Sequence, residues 1–264
     1  MNIIAVSSTR PLPLAVLFLP PRRGVGIIDG DIPLNIQSGN RQGVFMPAKN
    51  EDLHGNVPDK SNVALLLIDV INDLEFESGG ELLRHALPMA ERLAALKRRA
   101  KEAGVPVIYV NDNFGKWQSD FKKILEHVSK DDVRGRPLAE MLRPDDDDDY
   151  FVLKPKHSGF FSTTLDTLLH YLQARTLILT GLTGDICVLF TAHDAYMRDF
   201  DLVIPADCVA SNDPSENEHT LRKMASLMDA DIRPSAEIDF EALKRAPPRE
   251  AEPRPEPEPR QTAR

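Results

Sequence analysis

Six consecutive apolar residues, Val63-Ala64-Leu65-Leu66-Leu67-Ile68, constrain the fold more than any other stretch. A strand with one solvated face alternates apolar and polar side chains, whereas a strand without alternation is covered on both faces. Helices packed on either side of a parallel sheet supply that cover, because parallel neighbours need crossover connections. The rest of the chain agrees. Apolar stretches at 106–110, 150–153, 176–180 and 201–205 read as further strands, and Asp231-Ile232 as the start of a weak sixth. Helix-like segments at 81–103, 119–130, 164–172, 184–198 and 215–228 lie between or after them. The first stops at Gly104, and the last opens on the start signals Asp213, Pro214 and Ser215. Alternating strands and helices predict an α/β domain, three-layered and doubly wound in the Rossmann-like manner, with a mostly parallel six-stranded sheet.

That domain is expected over residues 61–240. Residues 1–60 have little periodicity and read as a weakly ordered extension, in which Met46 is a candidate true start. Residues 241–264 repeat proline, glutamate and arginine and read as a disordered tail. The apolar run at 11–20, PLPLAVLFLP, is short, broken by proline and lacks a small-residue cleavage site, so it is not read as a secretory signal. No run approaches the roughly 20 apolar residues of a membrane span. A formal net charge of -9 argues against nucleic-acid or anionic-membrane partners. Two cysteines are too few for a disulfide framework or a cysteine-built zinc site, and a cytoplasmic location is expected.

A doubly wound sheet gathers its ligands beyond the carboxyl ends of the strands. Asp69, Asp112 with Asn113, Lys154, Cys187 and Cys208 all fall at or just past such ends, so residues distant in sequence can converge. Cys187 has the most suggestive setting. The strand at 176–180 runs into a small-residue turn containing Leu182 and Thr183, and the cysteine sits in the first turn of the next helix. Backbone N–H groups at a helix start favour the thiolate and are expected to lower the thiol pKa. A cysteine nucleophile also needs a proton acceptor, a charge that favours its anion, and donors for an oxyanion. Asp69 can accept, Lys154 can supply the charge, and N–H groups at Cys187 and in the Leu182-Thr183 turn can hold the oxyanion. Singly, each residue has an ordinary role: a turn aspartate, a surface lysine, a small buried thiol. Their meeting at one edge of the sheet favours chemistry.

Three segments carry a resemblance to the isochorismatase-like superfamily of cysteine hydrolases, which includes nicotinamidases, N-carbamoylsarcosine amidase-like enzymes and isochorismatases. They are ALLLIDVINDLEF ending its strand at Asp69, VLKPKHSGFFSTTLDTLL with Lys154, and LILTGLTGDICVLFTAHDA with Gly181, Thr183 and Cys187 in a G-x-T-x-x-x-C arrangement. The resemblance spans residues 63–232. It implies an Asp-Lys-Cys triad of Asp69, Lys154 and Cys187. It also implies a cis peptide at Leu182–Thr183 that aims N–H groups at the oxyanion, and a homo-oligomer. Nicotinamidases hold a metal just after the second strand on an aspartate with nearby histidines. Here residues 111–117 read NDNFGKW, with Asp112 but no histidine, so no metal and no cofactor are expected.

The resulting reading is a metal-independent cysteine hydrolase that opens a small amide-type C–N substrate through a thioester. Two alternatives stand beside it. One is isochorismatase-type vinyl-ether hydrolysis with Asp69 as acid, for which Cys187 is dispensable. The other is a non-catalytic binding or scaffold protein. Phe76, Asn113, Trp117, Phe160 and Phe161 are candidates for the substrate pocket. Cys208 is read as structural, His157 stays outside the triad, and the aspartate run at 145–149 is read as a solvated loop.

Overall fold

A computed structural model describes residues 60–113, 120–130, 132–145 and 148–247 of the chain. The expected extension before residue 60, Met46, Trp117 and the tail beyond residue 247 lie outside the described residues. Six strands form one sheet: β1 (Val63–Ile68), β2 (Val107–Asp112), β3 (Tyr150–Lys154), β4 (Thr176–Leu182), β5 (Asp201–Val203) and β6 (Val209–Ala210). Their order is β3-β2-β1-β4-β5, with β6 pairing the far end of β4, and every pairing is parallel. The chain winds outward from β1 through β2 to β3, then returns to the other side of β1 for β4 and β5. The point of reversal therefore lies between β1 and β4, where Ile68 stands opposite Gly181. Crevices at such reversals are where open α/β sheets bind ligands.

All six residues of β1 are buried, and their alternation divides the core in two. Val63, Leu65 and Leu67 face α1 (Gly79–Glu102), α2 (Phe121–Lys130) and α3 (Arg136–Met141). Ala64, Leu66 and Ile68 face α4 (Leu165–Leu172), α5 (Leu189–Tyr196) and α6 (Pro214–Met228). A last short helix, α7 (Phe240–Arg245), adds Phe240 to the first core and runs past the boundary expected at residue 240. Asp213 caps α6 by accepting the Ser215 N–H at 2.8 Å, and Pro214 occupies the first turn, as its sequence signals require. No helix among the described residues is long and apolar enough to cross a membrane.

Three details differ from the sequence reading. The sixth strand is Val209–Ala210, and Asp231 forms only an isolated bridge with Val203. A strand of two residues has no periodicity to read. Helix α3 lies where the sequence shows only RGRP: Pro137 suits a first helical turn, and Gly135 precedes it. The aspartate run is not wholly solvated. Asp149 is buried, with Lys97 Nζ at 2.8 Å and Lys101 Nζ at 3.2 Å, so two cations from α1 hold the end of the run against the sheet.

Candidate active site

Asp69 follows β1 directly, with φ 52, a left-handed conformation that a short polar residue tolerates. Its N–H donates to Val110 O at 3.0 Å, and its Oδ1 accepts the Asp112 N–H at 2.7 Å. The end of β2 thus grips both sides of Asp69. Asn111, buried at that end, donates from Nδ2 to Ile71 O at 2.6 Å and holds the loop leaving Asp69. Lys154 is the last residue of β3, and its side chain is 0% exposed. Its ammonium lies 2.8 Å from Asp69 Oδ2, 3.6 Å from Asp112 Oδ2 and 3.5 Å from Cys187 Sγ. A lysine after a strand is ordinarily solvated; here an ion pair and a thiol take the place of water.

Cys187 approaches from the third direction. Strand β4 runs two residues further than its apolar core suggests, to Leu182, and the Leu182–Thr183 peptide is cis. Residues Gly184–Val188 then form one wide π-helical turn before α5 begins. Thr183 O accepts the N–H groups of both Ile186 and Val188, at 3.2 and 3.1 Å, and Asp185 N donates to Ser211 Oγ at 3.2 Å. Gly181 has φ 107, and a Cβ there would lie 2.1 Å from Ile68 O, so only glycine lets β4 approach β1 at this edge. The structure brings Asp69, Lys154 and Cys187 together from beyond the ends of three strands.

The electrostatics differ from expectation at the sulfur. Burial raises the Cys187 thiol, the Asp69 carboxylate raises it further, and Lys154 offsets only part, leaving it pushed up to about 12. The predicted lowering by the helix start does not prevail, because desolvation of a thiolate beside a carboxylate outweighs it. Burial also raises Asp69, against the pull of Lys154, which makes it a stronger base than a solvated carboxylate. Burial works against the Lys154 charge, but Asp69 and Cys187 more than compensate and its pKa lies above the ordinary lysine value. The resting arrangement is a protonated thiol beside a buried ion pair, with a base within reach to remove the proton.

The proposed pocket residues divide. Asn113 is buried and its N–H donates to Lys154 O at 3.1 Å, which places it at the base of the site. Phe76 and Phe161 are 44% and 55% exposed, and Trp117 lies outside the described residues. Phe160 is core: its ring packs against Phe200 at 6.0 Å and under the Arg198 guanidinium at 4.7 Å. The segment is a turn, so nothing in its pattern tells which of two adjacent phenylalanines points inward. Cys208 is completely buried in the core on the α1 side. Sequence reasoning left out one residue that the structure places at the sulfur: His157 Nδ1 lies 3.9 Å from Cys187 Sγ. The donors beside β2 do not fit a metal centre. Asp112 faces the Lys154 ammonium at 3.6 Å, which repels a cation, and no histidine occurs in residues 111–117.

Comparison with known proteins gives the same outline. A family model described as the isochorismatase domain matches residues 63–236. An uncharacterized isochorismatase family protein of Bacillus subtilis is 42% identical over 179 residues, covering 68% of this chain and 97% of that one. A ureidoacrylate amidohydrolase of Methylorubrum extorquens is 25% identical over 231 residues, covering 76% and 90%. Among solved structures, N-carbamoylsarcosine amidase from Thermoplasma acidophilum superposes with a TM-score of 0.52 at 27% identity, covering 67% of this chain and 99% of that one. A nicotinamidase from Bacillus subtilis gives 0.52 at 28% identity, covering 65% and 99%.

Proposed function

The chain belongs to the isochorismatase family of hydrolases, and from that premise we propose that it hydrolyses a small amide-type C–N bond through a thioester on Cys187, without a metal. The observation that carries this reading is the meeting of Cys187 Sγ, Lys154 Nζ and Asp69 Oδ2, with separations of 3.5 and 2.8 Å along the chain of contacts. In the proposed cycle Asp69 takes the thiol proton as substrate arrives, and Lys154 stabilises the thiolate. The sulfur attacks the carbonyl carbon, and the N–H groups of Thr183 and Cys187 receive the developing oxyanion. Asp69 returns the proton to the leaving nitrogen as the C–N bond breaks. Water then cleaves the thioester, releasing the acid and the free thiol.

The substrate class draws on relatives whose names specify C–N hydrolysis: ureidoacrylate amidohydrolase, N-carbamoylsarcosine amidase and nicotinamidase. The proposal extends to a homo-oligomer acting in the cytoplasm, a reading supported by the family resemblance and by the sparing use of cysteine. A screen of small amides reading released ammonia, with the Cys187→Ala protein as blank, tests it. Turnover that vanishes in that variant, with a substrate-derived adduct on Cys187 in the wild type, supports the scheme. Full turnover by Cys187→Ala refutes it and favours acid chemistry at Asp69 on a vinyl ether. No turnover by either protein on any C–N substrate turns the reading toward a binding role.

A further inference from the structure

We propose that His157 is a further catalytic residue, the base that activates water in the second half of the reaction; this rests on the thioester reading above. Three observations carry it. First, its Nδ1 lies 3.9 Å from Cys187 Sγ, on an exposed side chain, whereas Asp69 and Lys154 approach the same sulfur from the buried interior. Second, the Asp69 side chain is only 8% exposed, so it meets the sulfur from inside the sheet. Oδ1 accepts the Asp112 N–H at 2.7 Å and Oδ2 meets the Lys154 ammonium at 2.8 Å. Of the three groups Asp69, Lys154 and His157, the histidine alone is exposed to solvent.

Third, the position of His157 is fixed by α5, the helix that follows directly on the turn carrying Cys187. Ser158 is buried and hydrogen-bonded to Asp194 of α5. Gly159 N donates to Thr191 Oγ1 at 3.0 Å, and that hydroxyl donates to Cys187 O at 2.7 Å. A single threonine thus ties the loop carrying the histidine to the residue carrying the sulfur. The imidazole packs against Phe190 of the same helix, with ring centroids 5.5 Å apart. A base acting through one water must be held close to the reacting atom, and these ties hold the ring beside the sulfur.

In the proposed step the imidazole nitrogen takes one proton from water as its oxygen bonds to the thioester carbon. The tetrahedral intermediate collapses, and the C–S bond breaks with its electron pair going to sulfur beside Lys154. The proton held by His157 then returns to the thiolate, so acid and thiol are the only products. Asp69 serves the first half of the cycle and His157 the second.

Burst kinetics with p-nitrophenyl acetate test the division, with Cys187→Ala as blank. For His157→Gln the expected result is an unchanged burst of nitrophenolate, a steady-state rate lower by about 10²-fold or more, and accumulation of an acetyl group on Cys187 by intact mass. Burst rate and turnover falling together indicate lost positioning and overturn the base role. An unchanged turnover also overturns it, while leaving the thioester reading intact. Failure of the wild type to acetylate on Cys187 refutes the thioester reading itself, and the inference with it. The smaller His157→Ala leaves room for free imidazole. Restoration of its turnover by added imidazole supports the base role, and no restoration refutes it.

Discussion

Lys154→Met tests whether the site is an ion pair forced into a dry place. The ammonium lies 2.8 Å from Asp69 Oδ2, and the two side chains are 0% and 8% exposed. At an effective dielectric of ~20 that separation corresponds to about 6 kcal/mol of attraction, which the desolvation of both groups largely cancels. Removing only the lysine keeps the cost of burying Asp69 and deletes the compensation, so the expected loss of stability is about 3–5 kcal/mol. Removing both charges in Asp69→Asn with Lys154→Met should recover roughly 2 kcal/mol or more of that loss, because no buried ion remains. Asparagine is the suitable partner, since residue 69 has φ 52 and asparagine tolerates that region. The pH dependence has a definite sign. Asp69 is already raised from its ordinary 3.8 by burial, and loss of Lys154 removes the main opposing influence. The folded variant then binds a proton where the unfolded chain does not, so its stability rises as pH falls through the raised value toward 3.8. Urea denaturation followed by far-UV circular dichroism at pH 8 and pH 5 measures all three proteins. A single variant within 1 kcal/mol of wild type, a double variant no better than the single, or a deficit that grows on acidification would each refute the reasoning.

Stability should also fall at alkaline pH. Cys187 and Cys208 are both pushed from an ordinary 9.0 to about 12, chiefly by burial, so the folded chain keeps protons that the unfolded chain loses in that window. The expected slope approaches about 1.4 kcal/mol per pH unit per thiol, and Cys208→Ala should roughly halve it in denaturation curves taken between pH 9.0 and 10.0, below the range where Tyr109, Lys101 and Lys154, also raised, add to it; an unchanged slope counts against the mechanism. Gly184→Ala would put a Cβ 2.1 Å from Asn217 Oδ1 and 2.6 Å from Val209 Cγ1. It should cost about 1–3 kcal/mol and slow alkylation of Cys187 by iodoacetamide, whereas wild-type alkylation kinetics would show that the turn does not present the sulfur. Asp149→Ala strips Lys97 of a buried partner at 2.8 Å and should cost about 2 kcal/mol. It lies at the amino end of β3, opposite Lys154, so amide turnover should be unchanged; a fall in turnover without a fall in stability would refute that separation.

The parts legible in the sequence share a physical cause. A strand buried on both faces leaves an unbroken apolar run, and the first polar residue after it marks where the sheet meets solvent or ligand. Asp69 and Lys154 were placed by that rule alone, and Cys187 by the turn and helix that follow β4. What was not legible depends on contacts between segments. Asp149 is one of five identical residues, and only the approach of Lys97 and Lys101 from α1 distinguishes it. Phe160 and Phe161 sit in a turn, where neither a period of two nor one of 3.6 assigns a face. The thiol pKa failed for the same reason. The helix start is local and visible, whereas the desolvation and the Asp69 carboxylate that outweigh it come from β1 and the packed core.

Burial around Cys187 is uneven and divides its surroundings into two sides. One side of the sulfur is dry and built from strand ends: Asp69, Lys154 and the backbone of β2, each fixed by several hydrogen bonds or by complete burial. Altering any of them disturbs the sheet, so that side suits chemistry common to many substrates. The other side is wet and built from turns and the first turns of a helix: exposed His157, Ile186 and Phe190, with Thr191 tying the two together. Substitutions there leave the core packing intact, so on the proposed scheme that side is where substrate choice and the fate of an acyl intermediate can change independently of Cys187. A histidine three residues beyond the buried lysine is therefore the residue whose replacement should alter the second half of a reaction while sparing the first.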